Sequence, residues 1–148
     1  MRSSELWDDL LGRIADAALD PGAWQAVIER ATEVLEARST ELTFLNLPMG
    51  EVVNAVRHRL NPDREERWAR EWVGRDPWAQ ALYPLPANFV AAGSAVLPYS
   101  ELRRSEYYHE YAHPNGLEAC LVAALDGEES DGRLYVAFYG LDLFDRMR

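Results

Sequence analysis

The length, composition and charge of the chain exclude several classes of protein. Its 148 residues, 48% hydrophobic and 27% charged, suit one globular domain with its own core and not a disordered chain. The formal net charge of −10 would repel a phosphate backbone, so the chain by itself is a poor nucleic-acid binder. It has no membrane-length apolar run, no signal-peptide pattern and a single cysteine, Cys120, so we expect a cytoplasmic protein without disulfides.

Two amphipathic helices are predicted at the N-terminus, within residues 1–38. Apolar residues recur at helical spacing over residues 7–18. Asp20 followed by Pro21 is a typical helix start, and the second helix then carries a continuous apolar stripe over residues 24–35. We interpret this second stripe as core.

The following part, residues 39–140, alternates between strand-like and helical patterns. Residues 41–47 and 52–59 are predicted to form a hairpin. Helical patterns cover residues 62–82 and 99–113, and further strands are predicted at residues 94–97, 117–125 and 134–139. This order predicts an α+β fold, an antiparallel sheet with flanking helices, as in PAS and GAF sensor domains. Residues 141–148 resemble the start of a truncated element, so we interpret the chain as part of a longer protein.

The most informative stretch contains three of the five tryptophans beside one aspartate. Trp68 and Trp72 are four residues apart, which places them on one helix face. Asp76 followed by Pro77 predicts the N-cap and first residue of a new helix, with Trp78 directly after. Indole faces around one fixed carboxylate suit a small, largely apolar ligand. The alternative is that the tryptophans are core and the aspartate is only a cap.

We predict a ligand pocket between the sheet and the helices of residues 62–82. Asp76 is its expected polar group. The expected aromatic lining consists of Trp68, Trp72, Trp78, Tyr107, Tyr108 and, on the sheet side, Phe44. No catalytic residue, cofactor or metal is predicted.

A second stretch reads H-E-x-x-H from His109 to His113. On an α-helix this spacing places two imidazoles on one face to bind zinc, with Glu110 as the general base. Ala119 stands where a third histidine would complete the longer pattern, and Pro114 disfavours helical geometry at His113. Catalytic zinc normally has three protein ligands, so a small zinc-dependent hydrolase is the alternative to the preferred prediction of no metal site.

Two short segments of the chain also share a family pattern. The matching residues are Asp76, Pro77 and Trp78 in the first segment, and Ser105, Glu106, Tyr107, Tyr108, Glu110, Pro114, Gly116 and Leu117 in the second. They resemble the N-terminal sensory regions of LuxR-type bacterial transcription regulators, which join a PAS/GAF-like sensor to a C-terminal helix-turn-helix. The resemblance implies a non-enzymatic, ligand-sensing regulatory domain that contacts DNA only through a helix-turn-helix outside these 148 residues.

The resemblance also implies a role for the Asp-Pro pair. In the acyl-homoserine-lactone receptors of that family, the aspartate of such a pair holds the amide of the ligand, which implies that Asp76 anchors a ligand here. Arg67 and Asp63 stand where those receptors carry a tyrosine and a tryptophan, although Trp68 and Trp72 are close by. Acyl-lactones and aromatic compounds are therefore the candidate ligands.

Sensor domains of this layout usually pair through helices outside the sheet. Trp7 lies at the edge of the first helix's apolar stripe, so we expect a homodimer that uses this helix. A third possibility is a module that only dimerises, with its pocket filled by side chains.

Overall fold

The structure, a computed structural model, describes residues 2–117, 119–126 and 132–140 and is α+β in class. The helices are α1 (Ser3–Leu19), α2 (Trp24–Leu35), α3 (Pro62–Arg67), α4 (Pro77–Leu82), α5 (Gly93–Val96) and α6 (Tyr99–Leu102). The strands are β1 (Ser39–Asn46), β2 (Glu51–His58), β3 (Phe89–Ala92), β4 (Cys120–Asp126) and β5 (Arg133–Tyr139). A 3-10 turn, Pro21–Ala23, precedes α2, and two π-helical turns span Trp68–Trp72 and Tyr108–Ala112.

The five strands form one antiparallel sheet in the order β2-β1-β5-β4-β3. The predicted N-terminal hairpin is observed as β1 and β2. The predicted α+β fold, an antiparallel sheet with flanking helices, is confirmed, and it is consistent with a PAS/GAF-like layout. Residues 141–148, predicted to begin another element, lie outside the described residues.

The strand predicted at residues 94–97 is wrong, because this segment lies within and just after α5. The strand lies earlier, in β3, where the chain turns at Asn88 with a positive φ of 66° and Asn88 N donates to the Ala124 carbonyl at 2.7 Å. Pairing with β4 therefore begins at Phe89. Gly93 packs so closely that a Cβ there would lie 2.6 Å from the Cys120 sulfur.

Helices α1 and α2 cover one face of the sheet. Ile28 of α2 packs with Leu42, Ala123 and Val136, which come from three different strands. Helix α1 packs against α2 through Leu10, among others. The predicted core stripe of the second helix is thus buried against the sheet and α1.

The opposite face of the sheet is covered by α3, the first π turn and α4, which together form the helical excursion of residues 62–82. The helical pattern predicted from residue 62 is observed to begin there, and the Asn61 side chain caps α3 by accepting a hydrogen bond from Asp63 N at 2.9 Å. The second predicted helical stretch, residues 99–113, is divided into α6 and the second π turn. No helix among the described residues is long and apolar enough to cross a membrane.

Candidate functional site

A cavity lies between the sheet and the helical excursion. The centres of water molecules can occupy about 60 Å³ of it, and the space including its mouth is about 560 Å³. One water needs roughly 10–15 Å³ by the first measure, so the cavity has room for a small ligand. Its apolar walls include Leu45, Val122 and Leu82. Apolar walls with few polar groups are typical of small-molecule sites.

Asp76 is the most heavily hydrogen-bonded group in the cavity lining. As predicted, it caps α4: Oδ1 accepts from Trp78 N at 2.8 Å and from Ala79 N at 3.3 Å. Oδ2 accepts from Trp68 Nε1 at 2.9 Å, and the Tyr107 hydroxyl adds a further hydrogen bond. Burial raises the pKa of Asp76, and these four donors oppose that rise. The protein itself thus supplies the partners that this buried carboxylate needs.

The first π turn separates the positions of Trp68 and Trp72. Val73 N donates to the Trp68 carbonyl at 3.0 Å, a hydrogen bond that spans five residues. Trp68 lines the cavity, whereas Trp72 is buried behind it with its ring edge-on to Tyr107 at 5.8 Å between centroids. The Arg75 guanidinium lies 4.4 Å from the Trp72 ring centroid. Trp72 is therefore core and does not form part of the cavity wall.

Three buried side chains of the lining carry a polar atom that has no hydrogen-bond partner in the protein. These atoms are Thr43 Oγ1, Trp78 Nε1 and the Tyr135 hydroxyl. The three residues are 7%, 5% and 8% exposed. An unsatisfied buried polar group costs about 1–3 kcal/mol, and in proteins a ligand or a bound water usually satisfies it. Each of these atoms is itself enclosed by protein, although the residue that carries it contributes to the cavity wall.

A pair of glutamates forms a second polar feature at the cavity. Glu41 lines the cavity and accepts a hydrogen bond from the Tyr139 hydroxyl at 2.8 Å. Glu65, on the excursion, lies 2.8 Å from Arg57 Nε and accepts from the Tyr111 hydroxyl at 3.4 Å. Burial, followed by the neighbouring Glu65, raises the pKa of Glu41 to about 8. Glu41 is therefore mainly protonated at neutral pH.

The structure brings together only part of the predicted aromatic pocket. Asp76, Trp68 and Trp78 line the cavity, whereas Trp72, Tyr107, Tyr108 and Phe44 do not. Tyr107 lies behind Asp76 and supports it through its hydroxyl. Tyr108 packs edge-on to Tyr99 at 6.2 Å between centroids. Both tyrosines belong to the buried aromatic core next to the cavity.

Phe44 lies on the other face of β1. Successive side chains of a strand point to opposite faces, and both neighbours of Phe44, namely Thr43 and Leu45, line the cavity. Leu42, two residues before Phe44 and so on the same strand face, packs against α2. The prediction that Phe44 lines the cavity from the sheet side is therefore wrong.

The polar residues of the sheet wall were not predicted from the sequence. Glu41 and Thr43 alternate with apolar residues in β1, and Tyr135 and Tyr139 do so in β5. This alternation was a usable signal, but polar residues on one strand face more often indicate a solvent-exposed face. Only the excursion, which folds over this face, makes it an interior wall.

The two histidines of the H-E-x-x-H pattern lie away from the cavity and are exposed. Pro114 was expected to disfavour helical geometry at His113, yet His113 has helical angles, φ −62° and ψ −50°. The second π turn carries the helix to this point, with His113 N donating to the Tyr108 carbonyl at 2.9 Å. Both imidazoles contact the Tyr108 ring, at 5.2 Å for His109 and 5.3 Å for His113. Within the described residues, no three His, Cys, Asp or Glu side chains are placed to hold a metal ion.

The carboxyl groups of Glu41 and Asp76 line the cavity, and the described lining contains no arginine, lysine or histidine. Comparison of the chain with protein-family models and with curated protein sequences gives no match. The cavity and the two segments that resemble LuxR-type sensory regions are therefore the features that bear on function.

Proposed function

We propose that this chain is a cytoplasmic, small-molecule-sensing and dimerising regulatory domain of a LuxR-type transcription regulator. The observation that carries the proposal is the cavity beneath the helical excursion, with unpartnered polar atoms of Thr43, Trp78 and Tyr135 in its lining. A core filled only for packing would place apolar groups there, since a buried polar atom without a partner is destabilising.

Contact between the two resembling segments supports the family assignment. Asp76 of the first segment accepts a hydrogen bond from Tyr107 of the second. Trp72 packs against the same tyrosine, and Arg75 pairs with Glu106 at 3.4 Å. Asp76 and Tyr107, one residue from each segment, are therefore in contact beside the cavity, as expected if the pattern maintains a ligand site.

The second part of the proposal is assembly through α1. Trp7, Leu11 and Ile14 are 46%, 61% and 38% exposed although they are large and apolar. Their spacing of four and then three residues matches the apolar seam of a coiled coil. We propose that two copies bury this stripe against each other, and that the parent regulator contacts DNA through a helix-turn-helix elsewhere in its sequence.

A ligand screen with a cavity-filling variant tests the sensor function. Ala137 lines the cavity, so Ala137→Leu would occupy part of it, whereas Ala95→Leu adds the same atoms at an exposed position. The screen covers acyl-lactones and aromatic compounds and uses thermal shift and tryptophan fluorescence, because Trp68 and Trp78 line the cavity. We expect Ala137→Leu to weaken the binding of each hit by about tenfold or more through steric overlap, and Ala95→Leu to leave it unchanged.

Two outcomes would contradict the sensor function. Hits that bind Ala137→Leu as tightly as the wild type would place the ligand outside the cavity. A screen without hits, in which Ala137→Leu also raises the melting temperature, would favour the alternative of a module whose interior is available only for packing.

A further inference from the structure

We propose that Glu41 and Glu65 form a proton-dependent latch that holds the helical excursion of residues 62–82 against the sheet and so controls access to the cavity beneath it. Glu41 belongs to β1 and Glu65 to α3, so the pair joins the two layers that enclose the cavity. The latch is closed when one proton lies between the two carboxyl groups, and it opens when that proton is lost. It is a property of the fold and does not depend on which ligand the cavity binds.

The excursion needs contacts with the rest of the protein to stay folded. Its two α-helices, α3 and α4, have 6 residues each. Isolated helices shorter than about 12–15 residues are only marginally stable in water. The π turn between them places the buried Trp72 against Tyr107, which lies outside the excursion. Polar connections to the sheet therefore act on a segment with little stability of its own.

Glu65 connects this segment to the sheet, although a glutamate side chain is rarely buried. It is 4% exposed, and its Oε2 lies 2.8 Å from Arg57 Nε of β2. Its Oε1 accepts a hydrogen bond from the Tyr111 hydroxyl at 3.4 Å, and its carboxyl group is hydrogen-bonded to that of Glu41. On the sheet side, Glu41 also accepts from the Tyr139 hydroxyl of β5 at 2.8 Å. The two carboxyl groups thus lie at the centre of a polar network that spans both layers.

A hydrogen bond between two carboxyl groups requires a proton. An ionised carboxylate only accepts hydrogen bonds, so two ionised groups repel each other, whereas a protonated carboxyl group donates to its neighbour. Burial, followed by the neighbouring Glu65, raises the pKa of Glu41 to about 8, which identifies Glu41 as the group that holds the proton at neutral pH. Loss of this proton would leave two carboxylates facing each other across the boundary between sheet and excursion.

The groups around Glu41 leave its charge poorly compensated once the proton is lost. Arg57 is the cation near the pair in the part of the chain that the structure describes, and it already pairs with Glu65. Asp76, which also lines the cavity, is a further acid. Burial raises the pKa of the remaining titratable side chains that face Glu41, so they are neutral at pH 8; these are Tyr107, Tyr111, Cys120 and Tyr139. Ionisation of Glu41 therefore favours a state in which the excursion moves away and water reaches the carboxylate.

Opening is favoured as the pH rises. In the open state the Glu41 carboxyl group is in water, where its pKa takes the ordinary value of 4.5, compared with about 8 in the closed state. The closed state binds more protons between these two values, so it loses stability as the pH rises through this range. The full effect between about pH 5.5 and pH 8 is roughly 100-fold in the opening equilibrium.

Amide hydrogen exchange measured by mass spectrometry tests the latch on the ligand-free chain. Protection of residues 62–82 is compared at about pH 5.5 and pH 8 after correction for the intrinsic effect of pH on exchange, with α2 as the internal reference. We expect protection of the excursion in the wild type to fall by at least about tenfold more than protection of α2.

Glutamine variants identify the groups that respond to pH. A glutamine amide donates a hydrogen bond at any pH, so Glu41→Gln and Glu65→Gln each keep a link between the two layers that needs no proton. The relative protection of the excursion should change by less than about threefold between the two pH values in either variant. Glu66→Gln makes the same change at the neighbouring, exposed position of α3 and should behave as the wild type. Thermal unfolding checks that each variant is folded, and Glu65→Gln carries the test if Glu41→Gln does not fold.

Cys120 provides a second readout of access to the cavity. It is the single cysteine of the chain, lines the cavity and is 4% exposed. Burial raises the pKa of its thiol to about 12, so labelling requires opening. At about pH 8 we expect the neutral reagent 4,4′-dithiodipyridine to label Cys120 at least about fivefold faster in the wild type than in Glu41→Gln.

Three results would overturn the latch. Equal loss of protection in the excursion and in α2 would show that the pH acts on global unfolding. A pH response of the excursion that persists in Glu41→Gln and Glu65→Gln, or disappears in Glu66→Gln, would remove the carboxyl pair as its cause. Equal labelling of Cys120 in the wild type and in Glu41→Gln would separate the pair from access to the cavity. None of these measurements uses a ligand, so the sensor function is decided independently by the ligand screen.

Discussion

The Asp76 side chain caps α4 and also accepts hydrogen bonds from Trp68 and Tyr107. These contacts determine the effect of replacing it. Asparagine caps a helix about as well as aspartate, so the bonds from Trp78 N and Ala79 N can remain. Its amide NH₂ would then face the Trp68 indole N–H, placing a donor against a donor in the interior. We expect Asp76→Asn to lower the free energy of unfolding by about 1–3 kcal/mol, measured by urea denaturation.

Trp68→Phe provides the matched control for this prediction, because it removes the indole donor. In a Trp68→Phe background, Asp76→Asn should cost less, and a double-mutant cycle measures the difference. Equal costs in the two backgrounds would show that the Trp68–Asp76 hydrogen bond contributes no net stability.

The raised pKa of Glu41 predicts how the stability of the fold depends on pH. Its folded-state pKa is raised to about 8, above the ordinary value of 4.5, so the folded protein binds more protons than the unfolded chain between these values. The contribution of Glu41 to the free energy of unfolding is therefore largest below about pH 5 and is lost as the pH rises toward about 8. The loss is at most about 1.4 kcal/mol per pH unit. The pKa of Asp76 is shifted in the same direction, so the comparison needs a variant at Glu41.

Glu41→Gln supplies that comparison, since glutamine resembles the protonated carboxyl group in shape. Urea midpoints measured from pH 5 to pH 8 should fall less steeply for Glu41→Gln than for the wild type. The groups packed around Glu41 are Arg57, Glu65, Tyr111 and Tyr139, and all are retained in the variant. Parallel pH profiles would mean that Glu41 does not titrate in this range.

At the scale of elements, α1 is the helix with the most unusual surface. It packs against α2 through one face but exposes Trp7, Leu11 and Ile14 on another. We expect the wild type to be a dimer in sedimentation experiments and Leu11→Glu to be a folded monomer, because a charge within the proposed seam would be buried without a partner.

Leu19→Glu is the control for the dimer prediction. Leu19 is 91% exposed at the end of α1 and does not continue the spacing of the stripe, so the same substitution should leave the dimer intact. A wild type that sediments as a monomer at all concentrations, or dissociation caused equally by both substitutions, would contradict pairing through this stripe.

At the scale of the whole molecule, net charge governs contact with DNA. A chain with a formal charge of −10 gains no counterion-release free energy from a phosphate backbone. We expect no shift of duplex DNA by this chain in electrophoretic assays at physiological salt. A sequence-specific shift of duplex DNA at submicromolar protein concentration would contradict this prediction.

The sequence by itself determined the features that depend on neighbouring residues. The helix starts at Asn61 and Asp76 were predictable because an Asx residue followed by proline is a local signal for capping. The α+β class followed from the order of strand and helix periods. The strand predicted at residues 94–97 failed because β3 depends on pairing with β4, which is distant in the chain.

Only the tertiary structure decided which side chains line the cavity. Strand alternation separates Phe44 from Thr43, but it does not reveal which face of β1 the excursion covers. Once the excursion covers the face of Glu41 and Thr43, these polar residues become interior and Phe44 lies on the other side. The same packing surrounds Asp76 with protein donors and leaves Thr43 without one, because hydrogen-bond partners are set by contacts between residues far apart in the chain.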